Sequence, residues 1–220
     1  FSEYLSAKKR ITKGANLIII NRDDRHLNNL EFNSDQRVVK FTLDAPRPGE
    51  IGVVEELLVD RAFVDDPQEA SALAELSDIN PQAPHNVANA LAAMALARSC
   101  GVNIDSIAQG LRNFAPGHHR IEEVENLDGV RWINDSKATN PHAANASLAA
   151  FTSIIWIAGG LAKGADMEDL VQSKAGRLKA VLLIGTDRNL ISDALSKYAP
   201  KIPKYLIDGV SPEQLMDNLV

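Results

Sequence analysis

Polar and charged positions broken by Leu5 and Ile11 open the chain, a spacing that predicts a surface helix over residues 1–12, ended by Gly14. An uninterrupted apolar run at 16–20 predicts a buried strand, followed by the polar strand end Asn21-Arg22-Asp23-Asp24. Three β-prone runs, 38–43, 51–55 and 57–64, are separated by Pro46, Pro48, Gly49 and acidic pairs, and predict a small antiparallel meander at the edge of a first domain. The period then changes. Ala90, Leu91, Met94 and Leu96 form the apolar side of a helix over 86–99 that Gly101 terminates. Ile107 and Leu111 share a face of a second helix over 104–114, with Asp105 near its N-terminus. Ala115-Pro116-Gly117 reads as a hinge, so the domains are expected at 1–116 and 117–220.

Past the hinge, a strand at 121–124 meets the hairpin turn Leu127-Asp128-Gly129, which leads into a β-branched and aromatic strand at 130–133. Polarity then jumps, with Asn134, Asp135, Ser136, Lys137, Thr139 and Asn140 crowded into one loop. A helix follows over 143–150, with Asn140 as N-cap and Pro141 as its first residue. Strands at 153–158, 180–184 and 204–207 alternate with helices at 167–174, at 189–198 and from 212 onward, which predicts a parallel α/β sheet with right-handed crossovers. The strand at 130–133 is expected beside the one at 153–158 in that sheet, so that both send their loops to its C-terminal edge, where open α/β sheets bind ligands.

A chain of 220 residues, 45% hydrophobic and 24% charged, can bury the core of one large or two modest globular domains. The net charge of −6 argues against nonspecific nucleic-acid binding, though it leaves room for a local basic pocket. Cys100 is the single cysteine and cannot form an internal disulfide, which fits a reducing compartment. No apolar run reaches the roughly 18 residues needed to span a membrane, and no signal peptide is visible. The chain opens at Phe1 directly in a helical pattern and so reads as a piece of something longer. Glu55, Glu56, Asp65 and Asp66 lack histidines or a repeated spacing and read as solvated turn carboxylates. His118 and His119 would point to opposite sides of a strand, a poor metal pair. Neither Gly159-Gly160 nor Gly185-Thr186-Asp187 completes a G-x-G-x-x-G, so nicotinamide binding is rejected.

Three places carry candidate chemistry. The loop after residue 133 gathers a carboxylate, an ammonium and two hydroxyls, which suits a ribose or phosphate; an ordinary capped βα loop is the alternative. Asn86 and Asn89 lie one helical turn apart, where two amides can read a purine edge or simply cap the helix. Lys8 and Lys9 near a helix C-terminus read as a solvated basic face favoured by the helix dipole.

Asp135-Ser136-Lys137-Ala138-Thr139-Asn140 resembles the D-S-K-A-T-N signature of the Mur ligases, in particular of the branch that adds D-glutamate. Other segments are similar to the same family. Tyr4-Leu5-Ser6-Ala7-Lys8-Lys9-Arg10-Ile11 matches the stretch with a carbamylated lysine, at Lys8, where the carbamate helps to bind Mg²⁺ as an ammonium could not. Asn21-Arg22-Asp23-Asp24 resembles its N-x-D-D segment. The run from His85 resembles the family helix whose asparagines, here Asn86 and Asn89, meet adenine. Arg120 matches the arginine of P-H-R that contacts nucleotide phosphates, with His118 in place of the usual proline. Lys163 matches the lysine of G-G-x-x-K that grips D-glutamate, with Leu161 where many relatives have aspartate.

The resemblance implies a remnant of a P-loop-type ATPase domain followed by an incomplete Rossmann-like parallel α/β domain. It implies an ATP-dependent, ADP-forming carboxylate–amine ligase that joins D-glutamate to UDP-N-acetylmuramoyl-L-alanine in peptidoglycan precursor synthesis, with ATP and Mg²⁺ as cofactors. Asn86, Asn89, Arg120 and Asp135 would converge on one cleft between the domains, Asp135 accepting from ribose hydroxyls. Lys137 would serve both nucleotide and D-glutamate, and Thr139 and Lys163 would serve D-glutamate. A cytoplasmic monomer without nucleic-acid partner or membrane insertion is implied. No G-x-x-G-K-[ST] loop occurs and no uridine-binding domain is matched, so this piece alone is expected to be inactive. The alternatives are a folylpolyglutamate synthase or another Mur ligase adding a different amino acid, and a noncatalytic nucleotide-binding module. The D-S-K-A-T-N run favours D-glutamate over the former; a chain complete as it stands would favour the latter.

Overall fold

The computed structural model describes residues 2–66, 68–160, 164–209 and 214. Its chain separates into two units, Phe1–Ala115 and Pro116–Val220, with the break at the Pro-Gly pair. The expected helix from 212, and Leu161 and Lys163, lie outside the described residues.

In the first unit the chain runs α1 (Ser2–Lys9), β1 (Leu17–Asn21), α2 (Arg25–Asn28), β2 (Arg37–Phe41), β3 (Glu50–Val54), β4 (Leu57–Asp60), β5 (Ser71–Glu75), α3 (Pro84–Ser99) and α4 (Ile104–Asn113). The strands form one sheet in chain order. The expected antiparallel meander is only partly correct. β3, β4 and the unforeseen β5 pair antiparallel, but β2 runs parallel to both β1 and β3. The physical reason is the connector after β2, which returns along β3 rather than turning tightly. Its Asp44 carbonyl accepts the Val53 N–H at 3.0 Å. Gly52 permits that approach, since a Cβ there would stand 2.4 Å from the Asp44 oxygen.

Val87, Ala90, Leu91, Met94 and Ala95 of α3 are buried and pack in one cluster with Val39, Ile51, Leu58 and Leu73 of the sheet. Leu96, expected on that apolar side, is 59% exposed. At about 100° per residue it points about 140° away from Leu91 and nearly opposite Met94. One charged group sits among these apolar side chains. Asp60, at the end of β4, is fully buried. Its Oδ1 accepts the N–H groups of Ala62 at 2.8 Å and Phe63 at 2.9 Å, and its Oδ2 accepts Arg98 Nε at 3.0 Å. Arg98 also donates to the Phe63 carbonyl at 2.9 Å, so it ties the end of α3 to the turn after β4.

The second unit runs β6 (Glu122–Leu127), β7 (Val130–Asn134), α5 (Pro141–Leu148), β8 (Ile154–Gly159), α6 (Glu168–Lys174), β9 (Leu178–Ile184), α7 (Arg188–Tyr198) and β10 (Lys204–Leu206). β8, β9 and β10 form the parallel sheet that the alternation predicts, in the order β10-β9-β8. Val171, Ile191 and Leu195 from α6 and α7 join Ala158, Val181 and Leu183 of the sheet in its core. β7 departs from expectation. Among the described residues it pairs only with β6, in a two-stranded antiparallel ladder, and not with β8. The pairing with β6 is the expected hairpin: Asp128 at φ 50° and Gly129 at φ 81° form the primed type of two-residue loop.

The C-terminal ends of β8 and β9 touch backbone to backbone. Gly160 N–H donates to the Ile184 carbonyl at 3.3 Å, and Asp187 N–H donates to the Gly160 carbonyl at 3.1 Å. A Cβ at Gly159 would lie 1.7 Å from the Ile184 oxygen, so glycine is required there. Among the described residues no helix is long and apolar enough to cross a membrane.

Arg98→Ala would leave the Asp60 carboxylate buried with only its two backbone donors. The loss of one partner from a buried pair costs about 3–5 kcal/mol. Chemical denaturation of the purified chain should show the first unit's transition destabilised by that amount. A loss below about 1 kcal/mol would mean that the Ala62 and Phe63 amides suffice.

Candidate functional site

The polar loop after β7 is shaped by its own backbone and short side chains. Asn134 Oδ1 accepts the Ser136 N–H at 3.2 Å, starting the turn. The Asp135 carbonyl accepts the Ala138 N–H at 2.9 Å, and the Lys137 carbonyl accepts the Thr139 N–H at 2.9 Å. Asn140, extended at φ −147° and ψ 161°, caps α5 through its Oδ1, which accepts the Ala143 N–H at 2.9 Å, and Pro141 opens the helix. Asp135 is half-buried, whereas Ser136, Lys137 and Thr139 are exposed.

A second segment of the same unit is bound to this loop. The His119 carbonyl accepts the Lys137 N–H at 3.1 Å. Asp135 Oδ1 accepts the Ile121 N–H at 3.1 Å. The residues on either side of Arg120 are thus each joined to the loop, and the exposed Arg120 stands beside Asp135 and Lys137. The structure therefore brings Arg120, Asp135, Lys137 and Thr139 together.

The same segment corrects the expected placing of the histidines on a strand. β6 begins only at Glu122, and His119 and Ile121 are left-handed at φ 65° and 50°. The two histidines do not diverge; both meet Glu122. Its Oε2 accepts the His119 N–H at 2.7 Å, and its Oε1 lies 2.8 Å from His118 Nδ1. These contacts, the His119 backbone bond first and His118 second, hold the Glu122 carboxyl below the usual carboxylate range. Asn134 Nδ2 lies 2.8 Å from His119 Nδ1. Because the Asn134 oxygen already serves Ser136, its amide nitrogen donates and the ring nitrogen accepts. Glu122, His119 and Asn134 were missed in the sequence. The signal that could have found Glu122 is an acid three residues after His119, the spacing at which a carboxylate reaches back to a backbone N–H.

Asn86 and Asn89 stand on α3 of the first unit. Neither caps the helix, whose N-cap is Ala83. Asn86 Nδ2 donates to the Pro81 carbonyl at 3.0 Å, and Asn89 is exposed one turn later. Lys8 is exposed in the last turn of α1, with its Nζ 5.5 Å from the centroid of the Tyr4 ring. The Asn21-Arg22-Asp23-Asp24 segment is engaged locally. Arg22 pairs with Glu50 at 2.6 Å, Asp23 accepts the Thr42 hydroxyl at 2.6 Å, and Asp24 caps α2. Among the described residues no group of three His, Cys, Asp or Glu side chains is arranged to hold a metal ion.

Chemically, the loop and the segment bound to it offer two exposed cations, Arg120 and Lys137, one half-buried carboxylate and two hydroxyls. That set can grip an oxygen-rich anion and accept from its hydroxyl groups.

Comparison with known proteins fits this geometry. Residues 119–216, which include the whole loop, match the family described as Mur ligase, glutamate ligase domain. The chain is 53% identical to the UDP-N-acetylmuramoylalanine–D-glutamate ligase of Thermobifida fusca, over 91% of this chain and 44% of that one. It is 52% identical to the ligase of the same name from Streptomyces avermitilis, over 93% of this chain and 45% of that one. The chain thus spans less than half the length of these relatives. Among solved structures, the UDP-N-acetylmuramate–alanine ligase of Thermotoga maritima shares the fold, with a TM-score of 0.64 and 17% identity, over 94% of this chain and 46% of that one.

The Glu122 contacts generate a pH prediction. A carboxyl whose folded value lies below its ordinary 4.5 stabilises the turn fully above that value, and the contribution is lost as pH falls through the lowered value. The His119 amide resonance should therefore titrate with a midpoint below 4.5, and Glu122→Gln should abolish the transition. A midpoint at or above 4.5 would show that the bond does not form in solution.

Proposed function

The chain belongs to the Mur ligase family, and from that premise we propose that it forms the rear of an ATPase domain (1–116) and a ligand-binding domain (117–220) of an ATP-dependent ligase. The complete enzyme joins D-glutamate to UDP-N-acetylmuramoyl-L-alanine in peptidoglycan precursor synthesis. The observation that carries this reading is identity above 50% to two ligases of that name over more than nine-tenths of the chain, 91% and 93%. It is supported by the grouping of Arg120, Asp135, Lys137 and Thr139 around one loop.

In the reaction the carboxylate of UDP-N-acetylmuramoyl-L-alanine attacks the γ-phosphorus of ATP. ADP leaves, and an acyl phosphate remains. The free amine of D-glutamate then attacks the acyl carbon, phosphate departs, and the amine loses a proton to give the amide. Phosphoryl transfer asks the protein mainly for position and positive charge. Arg120 supplies a forked cation for the nucleotide phosphates. Asp135 keeps one oxygen on Ile121 and offers the other to the ribose hydroxyls. Asn89 and the carbonyl side of Asn86 meet the adenine edge, the Asn86 amino group being held by Pro81. D-Glutamate brings two carboxylates, which Lys137, Thr139 and Lys163 hold while its amine stays uncrowded.

Mg²⁺ supplies charge neutralisation when bound. Lys8 as an ammonium over Tyr4 cannot ligate it; only the carbamate offers oxygens, and no step is assigned to a metal through the described residues. ATP and a UDP-linked substrate place the activity in the cytoplasm.

In the complete enzyme, Asn89→Ala should raise the Michaelis constant for ATP more than that for D-glutamate; the opposite ranking would remove the adenine assignment. Lys163→Ala should weaken D-glutamate about ten- to a hundredfold, since a charge-assisted contact is worth about 1.5–3 kcal/mol, and should leave ATP nearly unchanged. An unaltered D-glutamate constant and turnover would rule that role out. The 220-residue chain alone contains no G-x-x-G-K-[ST] loop, so D-glutamate-dependent ATP hydrolysis should be absent from it. Hydrolysis by the isolated chain would favour a different phosphate-binding device.

A further inference from the structure

The turn from His118 to Glu122 holds two left-handed residues, His119 at φ 65° and Ile121 at φ 50°, with Arg120 between them. Neither is glycine, and Ile121 is β-branched, so each conformation is strained and persists only under external hold. The polar loop supplies part of that hold through Lys137 N–H and the Asp135 carboxylate. The remainder comes from Glu122, which leaves the turn as the first residue of β6 and reaches back with both oxygens. One accepts the His119 N–H at 2.7 Å and the other meets His118 at 2.8 Å. No other carboxylate among the described residues contacts the N-terminal half of this turn. Asn134, at the start of the loop, adds a contact to the His119 ring at 2.8 Å.

We propose that Glu122 is a positioning residue for Arg120: its carboxylate locks the turn that holds the guanidinium at the nucleotide phosphates. The proposal rests on the nucleotide reading given above. Arginine carries long-side-chain entropy that it loses on binding, and a fixed backbone reduces what remains to be ordered. Release of the His119 N–H leaves the His119 backbone held at its carbonyl alone, by Lys137 N–H, and loosens the turn that presents the guanidinium. Glu122 itself touches no substrate in this account.

Steady-state kinetics of the complete enzyme, with each substrate varied in turn, test it. Glu122→Ala should raise the Michaelis constant for ATP about tenfold, with the D-glutamate constant unchanged and the thermal midpoint close to that of the parent. Glu122→Gln keeps an acceptor for the His119 N–H and should recover most of the loss. Arg120→Ala should raise the ATP constant at least as much, and Arg120→Ala/Glu122→Ala should be no worse than Arg120→Ala alone, because Glu122 acts through Arg120. Additive effects in the double variant, or equal rises in both constants, would overturn the proposal. An ATP constant raised by Arg120→Ala but not by Glu122→Ala would sink the Glu122 role and leave the nucleotide reading standing. An ATP constant indifferent to Arg120→Ala would remove the phosphate assignment and the proposal with it.

Discussion

Backbone groups that belong to no ladder must still find partners, and that constraint organises the second unit. Between the break at Pro116 and the first residue of β6, His119, Arg120 and Ile121 have no strand to pair with. The His119 N–H is taken up by Glu122, and the His119 carbonyl and the Ile121 N–H are taken up by Lys137 and Asp135. The consequence is mutual. The loop after β7 keeps its shape because residues 119–121 fill part of its hydrogen-bonding capacity, and Arg120 is presented because both its neighbours are pinned. A residue that reads as a ligand group in the sequence, Asp135, is also a structural one, with Oδ1 on the Ile121 N–H.

The rest of the molecule follows the same economy of close contact. In the first unit the fully buried carboxylate of Asp60 closes the turn after β4 and draws in Arg98, so the helix that carries Asn86 and Asn89 is tied to the sheet at its far end. In the second, Gly159 and Gly185 let two strand ends meet without side chains. That contact sets Gly160 against Gly185 and Asp187 at the C-terminal edge of the parallel sheet, where the fold class places ligands. Rigid elements thus end in short, tightly bonded loops, an arrangement that favours a fixed geometry for charged groups over a mobile one.

Much of this was legible in the chain. The helix over Pro84–Ser99, the Asp128-Gly129 hairpin, the Asn140 cap and the alternating strands and helices of the second unit all rest on local signals: period, turn chemistry and capping. The D-S-K-A-T-N run carried the family in the same way, since a ligand loop is a contiguous motif. Local rules also failed where two periods were read as one, as at Leu96, which lies off the stripe set by Leu91, Met94 and Ala95.

What the sequence determined by itself were properties of neighbours along the chain: element type, caps, turns and the polar loop. What the tertiary structure alone decided were direction and partnership across distance. β2 runs parallel because its connector lies along β3 over Gly52. Among the described residues β7 does not join β8, and His118 and His119 turn together toward Glu122. Alternating polarity says which face of a strand is buried but carries no record of which strand lies beside it. A carboxylate likewise carries no mark of the amide it will meet until the backbone between them has folded.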